Sequence, residues 1–243
     1  MNSNQVNIDD VVNEILGSIP QTQTSVVRLP SLGKMYGLKS PEITVRGMTF
    51  DDEKALLNVK NRSQAVDTLI SRCVKEDINP RELIPQDKIY IVVVIRALSI
   101  GNNYDIKLSC NNCEEESTLT VDVLNTFECR YPEAPLEFIK EIELPSVKKK
   151  AKIRLATSNE LEQSPQKLYA SLSSFVVEID GRREYAIISK VLEKLPLGDM
   201  HTIVKALSND EIGLDTRFRF KCDHCSYEEE TTLSISQDFF MMR

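Results

Sequence analysis

The sequence predicts an α+β protein made of two diverged tandem copies of one unit, each with helices packed on a small sheet. Two CxxC pairs support this prediction, Cys110/Cys113 and Cys222/Cys225, because residues that alternate between apolar and polar flank both pairs. A period of two is typical of half-buried strands, so each pair should lie at the tip of a hairpin. Stretches with helical periodicity precede both hairpins, which makes the predicted unit a mixed one.

Further matches between the two halves occur in the same order along the chain. The sequence Leu-Pro-Ser occurs at residues 29–31 and 144–146, residues 45–49 resemble residues 153–157, and Ala-Leu-Ser occurs at residues 97–99 and 206–208. We therefore predict three segments: an N-terminal segment over residues 1–25, a first copy over 26–127 and a second copy over 128–243. The alternative is one mixed fold that uses similar turns twice.

The first copy is predicted to begin with a strand at residues 43–46, followed by a helix-start signal at residues 49–52. The next helix should bury an apolar stripe that consists of Ala65, Val66, Leu69, Ile70, Cys73 and Val74. A further helix over residues 86–98 leads into the hairpin that carries Cys110 and Cys113.

The second copy is predicted to repeat this order, with a strand at residues 151–155 and a helix start at residues 157–160. Ser164 and Pro165 then favour a new helix, because Ser is a good cap and Pro suits the first helical position. The apolar stripe of that helix consists of Leu168, Leu172, Phe175 and Val176. Asp180-Gly181 indicates a tight turn, and a last helix spans residues 198–207. The lysines at 148–150 are interpreted as a solvated strand edge.

The N-terminal segment is rich in Asn, Gln, Ser and Thr and contains one amphipathic patch. The patch consists of Val11, Val12, Ile15 and Leu16. Two interpretations remain open: a short helix docked on its own domain, or a tether that folds on a partner.

Composition limits the function classes. The chain has 30 basic and 37 acidic residues, for a net charge of -7, whereas proteins that bind phosphate backbones usually carry a basic surplus. No apolar run approaches the length of a transmembrane helix, and no secretory signal is visible, which favours a reducing cytosol. With two histidines and none of the common nucleotide-binding or hydrolase motifs, the sequence predicts a protein that is not an enzyme.

The cysteines are the residues with the most specific chemistry. Two CxxC turns supply four thiolates, the ligand set of a structural zinc site, and we predict that Cys110, Cys113, Cys222 and Cys225 share one Zn²⁺. Because four thiolates leave no open position for water, the ion would be structural. A redox CxxC pair, unmetallated thiols, or two sites completed by another chain are the alternatives. His224 is a weaker candidate ligand, and Cys73 and Cys129 are interpreted as core or neutral residues.

A longer ordered set of motifs resembles one known family. It consists of Leu-Pro-Ser-Leu-Gly-Lys-Met-Tyr at residues 29–36, then residues 45–49, Asp52-Glu53, Cys73-Val74, residues 85–88, Ile95-Arg96, Gly101, Tyr104 and the first CxxC. In this order the motifs resemble the baseplate hub assembly family of T4-like contractile-tailed bacteriophages. The resemblance covers most of the chain from Arg28 onward and is sharpest up to Cys113.

The resemblance implies a non-enzymatic tail protein that acts in baseplate hub assembly, as a chaperone or as a structural subunit. Its partners would be hub or tail proteins, and it would bind neither nucleic acid nor a membrane. Whether it self-associates is left open. It would occur in the host cytoplasm during assembly and, as a structural subunit, in the virion. The candidate partner-binding residues are Pro30, Gly33, Tyr36, Val12, Ile15 and Leu16. The alternative function is a zinc-ribbon adaptor for nucleic acid or transcription, and the alternative role of residues 29–36 is a simple turn.

Overall fold

The computed structural model describes residues 7–17, 22–59, 61–162, 164–208, 211–233 and 239. Within these residues the fold combines α-helices with small antiparallel sheets of two or three strands, which confirms the α+β class. The elements up to the first CxxC hairpin are α1 (Ile8–Gly17), β1 (Thr24–Arg28), β2 (Glu42–Arg46), α2 (Phe50–Leu57), α3 (Arg62–Cys73), α4 (Pro85–Ile100), β3 (Asn103–Ser109) and β4 (Glu116–Asp122). Short 3₁₀ turns at Lys34–Tyr36 and Pro80–Glu82 connect them.

The remaining elements follow a similar order. They are β5 (Cys129–Arg130), β6 (Ile139–Leu144), β7 (Lys149–Arg154), α5 (Ser158–Leu161), α6 (Pro165–Phe175), β8 (Val176–Ile179), α7 (Tyr185–Leu192), α8 (Leu197–Ser208), β9 (Gly213–Leu214), β10 (Arg217–Lys221) and β11 (Glu228–Thr232). Antiparallel pairs join β1 to β2, β3 to β4, β5 to β9 and β10 to β11, while β6, β7 and β8 form one sheet in that order. Both hairpins predicted around the CxxC pairs are therefore present.

The predicted helix starts follow from matching side-chain contacts in the two halves. Thr49 caps α2 in a capping box with Asp52, and Thr157 caps α5 in a capping box with Glu160. The arginine that ends the preceding strand binds the same carboxylate in each half: Arg46 Nη1 lies 2.6 Å from Asp52, and Arg154 Nη2 lies 2.9 Å from Glu160. Each arginine thus ties its strand to the next helix.

Two apolar cores account for most of the buried side chains. In the first, α4 is buried on all sides from Ile91 to Ala97 and packs against β2, α3 and the β3–β4 hairpin. The second core lies between the β6–β7–β8 sheet and helices α6, α7 and α8. Leu233 and Phe239 belong to the first core, although both lie near the end of the chain. The second CxxC hairpin is therefore anchored on the first core.

Two local predictions are wrong. Val176 does not continue the stripe of α6; it begins β8, because Val176 and Val177 are β-branched and β7 offers an unpaired edge. The lysine run does not lie on a sheet edge, because β7 is the central strand, paired with β6 on one side and β8 on the other. Lys149, Lys150 and Lys152 instead pair with carboxylates on flanking segments.

A four-cysteine candidate metal centre

The tips of the two CxxC hairpins have the same backbone geometry. Glu114 N donates to Cys110 O at 2.9 Å, and Ser226 N donates to Cys222 O at 3.0 Å. Glu114 and Ser226, which follow the second cysteine of each pair, have left-handed φ angles of 61° and 58°. This conformation is costly for a residue with a Cβ, so both turns hold strain at the same position.

The two tips meet and bring four thiols together in a crosswise arrangement. Cys110 Sγ lies 3.6 Å from Cys225 Sγ, and Cys113 Sγ lies 3.6 Å from Cys222 Sγ. All four sulfur atoms lie within 4.8 Å of one another. A tetrahedral site with Zn–S bonds of about 2.3 Å needs sulfur atoms about 3.8 Å apart. The spacing therefore fits a tetrahedral metal ion, whereas a disulfide needs about 2.05 Å.

Backbone and side-chain donors favour the thiolate form that binds metals. Asn112 N donates to Cys110 Sγ, and His224 N donates to Cys222 Sγ, both at 3.4 Å. Backbone N–H groups of Cys225 and His224 lower the pKa of Cys222 to about 6. The Asn112 side chain similarly lowers the pKa of Cys225. These donors stabilise negative charge at Cys222 and Cys225. At Cys113 the pKa is instead raised, because the backbone N–H of Glu115 is outweighed by burial and by the three neighbouring thiols.

The cluster is shielded on one side and open on the other. Cys110 and Cys222 are buried and pack with Phe220, whereas Cys113 is half-buried and Cys225 is exposed. His224 does not extend the cluster, since its Nε2 atom lies 3.3 Å from the carbonyl oxygen of Glu116. The arrangement is that of a closed site near the surface, which matches structural rather than catalytic metal centres.

The chain is similar to one protein family over nearly its full length. The model of the family described as "T4 bacteriophage base plate protein" matches residues 21–241. The chain belongs to this family. Comparison with curated proteins and with solved structures finds no match. The described part of this baseplate protein contains no helix long and apolar enough to cross a membrane.

The other two cysteines of the baseplate protein lie away from the cluster. Cys73 is buried in the first core, where burial raises the pKa of its thiol to about 11. Cys129 is half-buried on β5, where burial also raises its pKa. Burial and the raised pKa values disfavour the thiolate form at both residues, and both lie outside the cluster, so they serve as controls.

Residues 29–36 of the baseplate protein form an internal anchor. Pro30 and Gly33 are buried, and Gly33 has a φ of 69°, a conformation that suits glycine. The Tyr36 hydroxyl donates to Asp87 Oδ2 at 2.6 Å and accepts from Ile84 N at 3.1 Å. Burial raises the pKa of Tyr36. A partner contact through these residues stays a prediction, and their polar groups already have partners inside the protein.

Asp87 is a buried residue to which the sequence pattern assigned no role. Its Oδ1 atom accepts from Ser31 N at 2.9 Å, and in the second half Asp199 Oδ1 accepts from Ser146 N at 2.8 Å. Both carboxylates are fully buried. Asp87 and Asp199 are separated by the same 112 residues as Cys110 and Cys222, and this shared offset could have revealed them.

The N-terminal residues Val12, Ile15 and Leu16 lie on α1, none of whose residues is buried. The exposed fractions of their side chains are 43%, 57% and 54%. The structure therefore brings these residues together on one helix but not against the core of the protein. Their role in binding a partner stays a prediction.

The two halves also meet away from the thiol cluster. The ammonium group of Lys88, on α4, is buried between Asp67 Oδ1 at 2.8 Å and Asn159 Oδ1 at 2.7 Å. Asn159 lies on α5, in the other half. A metal ion at the thiol cluster would therefore reinforce an interface that already has its own contacts.

Proposed function

We propose that this chain acts in the central hub of the baseplate through protein contacts on a scaffold that one structural Zn²⁺ holds together. The proposal rests on the crosswise set of four thiols, together with membership of the baseplate family. The chain acts either as a structural subunit that stays in the virion or as a chaperone that leaves after assembly in the host cytoplasm. It performs no chemistry of its own.

Zinc is the metal that best fits the ligand set. Four cysteine thiolates in a tetrahedral arrangement are typical of structural zinc. The two hairpins come from distant parts of the chain: Cys110 on the first and Cys225 on the second are 115 residues apart in sequence. An ion bound by both hairpins ties these distant parts together and adds its binding free energy to the stability of the fold.

A tandem duplication explains why two half-sites meet. The segments 26–127 and 128–243 each carry an arginine bound to the capping carboxylate, a serine N–H bound to a buried aspartate, and a CxxC tip with one left-handed residue. Equivalent contacts at equivalent places support descent from one unit. Two related hairpins that face each other would each supply two ligands.

The charges near the thiol cluster favour protein partners over nucleic acid. Lys221 lies 3.5 Å from Glu228, and Arg217 lies 3.8 Å from Glu230 and 2.5 Å from Asp215. Carboxylates lie beside both cations, and Glu230 lies opposite the third basic residue of β10, Arg219, so little positive charge is left for phosphates. A filter-binding assay at low salt should show no retention of DNA or RNA, and tight retention would instead support the adaptor function.

The zinc proposal is tested by elemental analysis of the purified full chain together with thiol titration. We expect one zinc per chain and four thiols that react only after chelation. Cys222→Ser should lose the metal, whereas the matched control Cys129→Ser should keep it. A chain without metal, whose thiols all react in the native state, would contradict the proposed scaffold.

The hub proposal is tested by following the chain through phage assembly. Antibody detection across a density gradient should find it with hub or tail intermediates. Its presence in finished particles would identify a structural subunit, and its presence only in intermediates would identify a chaperone. Absence from both fractions would refute a role in the hub.

A further inference from the structure

We propose that α1 of one chain binds in an apolar groove on the second half of another copy, so that two chains exchange their N-terminal helices and form a symmetric dimer. The groove lies between α7 and the adjoining ends of β7 and β8. This inference goes beyond the hub function. It involves neither the cysteines nor a baseplate partner, so its failure would leave the proposed function intact.

The helix has the form of a ligand for such a groove. Ile8, Val12 and Leu16 follow each other at four-residue spacing, with exposed fractions of 74%, 43% and 54%. Val11 lies beside them and is also exposed. An exposed apolar stripe on a helix of ten residues gains little stability in water, because short isolated helices are marginal. Burial against another surface would stabilise it.

The groove has matching apolar chemistry. Its volume is about 260 Å³, and six of its nine lining residues are aliphatic. The aliphatic residues are Val147, Ile179, Ile187, Ile188, Val191 and Leu195. Val147 and Ile187 are 38% and 41% exposed, so the groove presents apolar surface that the rest of the chain leaves partly uncovered. An amphipathic helix laid in a hydrophobic groove is a common mode of recognition.

Charge identifies the occupant. The first 27 residues hold three acidic side chains, Asp9, Asp10 and Glu14, and no basic one. Residues 147–195 hold ten basic and six acidic side chains, a net charge of +4 in a chain whose total is -7. Of the three charged residues that line the groove, Lys149 and Asp180 pair with each other at 2.8 Å, and Arg182 forms no ion pair among the described residues. Opposite charges on helix and groove favour their association and set its orientation.

A second copy is the occupant that fits these observations. No residue of α1 is buried in the structure, so the helix is not seated in the groove of its own chain. In a dimer with twofold symmetry each chain would give one helix and receive one, so both apolar surfaces would be covered. The dimer would contain two identical contacts.

The test is sedimentation velocity on the full chain and on single variants. We expect the wild type to dimerise, and Leu16→Glu and Ile187→Glu to raise the dimer dissociation constant about 100-fold, since two contacts would each lose about tenfold. Leu57→Glu is the matched control, because Leu57 is an exposed leucine on α2. It should leave the dissociation constant unchanged. If Ile187→Glu does not fold, Val147→Glu replaces it as the groove variant.

Mixing the variants distinguishes exchange between chains from contact within one chain. In a heterodimer of Leu16→Glu and Ile187→Glu chains, both substitutions fall in one contact and the other contact is intact. Because a second substitution adds little at a contact that the first has already disrupted, this heterodimer should be about tenfold weaker than the wild-type dimer and about tenfold tighter than the dimer of either variant alone. A wild type that stays monomeric at high concentration would overturn the proposal, as would a dimer that none of the substitutions weakens. Failure of the mixture to associate while the wild type dimerises would overturn it as well.

Discussion

Replacing Tyr36 with phenylalanine should destabilise the protein by removing one hydroxyl that serves two buried groups. That hydroxyl donates to the fully buried Asp87 and accepts from Ile84 N. Burial raises the pKa of Asp87, so the hydrogen bond from Tyr36 lies between the about 0.5–1.5 kcal/mol of a neutral pair and the about 1.5–3 kcal/mol of a charged acceptor. An unsatisfied buried N–H costs about 1–3 kcal/mol. Because the two losses overlap where the structure relaxes, we expect a decrease of about 2–4 kcal/mol in the free energy of unfolding.

Urea unfolding measures this decrease, and Tyr169→Phe provides the control. Tyr169 is half exposed on α6, so loss of its hydroxyl should change the free energy of unfolding by less than about 0.5 kcal/mol. For a chain of this length the Tyr36→Phe variant should melt about 4–16 °C lower than the wild type. A change as small as that of the control would refute the internal anchor. If binding of a hub protein were then lost, a direct contact role for Tyr36 would explain it.

Three further predictions concern the turns, an ion pair and the metal. Glu114→Gly and Ser226→Gly should each stabilise the protein by about 0.5–1 kcal/mol in urea unfolding, because relief of left-handed strain exceeds the entropy cost of glycine. Burial raises the pKa of Asp52, but hydrogen bonds from Arg46 and Arg72 lower it more, so the net pKa lies well below its usual value. The stability that Asp52 contributes is therefore complete above pH 4 and decreases as the pH falls further. Melting temperatures measured across this pH range should show a weaker acid dependence for Asp52→Asn than for the wild type. A chelator at pH 7 should lower the melting temperature, and excess zinc should restore it; a melt insensitive to both would argue against a structural ion.

Local structure followed from the sequence where a short pattern fixes the backbone. The capping boxes at Thr49 and Thr157 and the period-two flanks of the CxxC pairs predicted helix starts and hairpins that the structure contains. The prediction failed at Val176, where an apolar residue fits the stripe of a helix and also fits a strand. The partner strand β7 decided between them, and its availability is a tertiary property.

The buried polar residues were harder to predict than the cysteines. A CxxC pair indicates its chemistry by itself, whereas Asp87 resembles any acidic residue in a first helical turn. Only the packing of residues 29–36 against α4 shows that Asp87 is a buried acceptor for Ser31 and Tyr36. Tyr36 is therefore engaged inside the protein, a position that the polar, bend-prone sequence around it did not indicate.

The sequence by itself determined the helix starts at Thr49 and Thr157, the two hairpin tips and the four thiols available for a metal, because each depends on residues a few positions apart. Only the tertiary structure decided that Cys110 lies beside Cys225 and Cys113 beside Cys222. It also decided that the second hairpin is anchored on the first core through Leu233. The physical reason is that the distance between segments more than 100 residues apart depends on how the cores pack, and no local pattern encodes it.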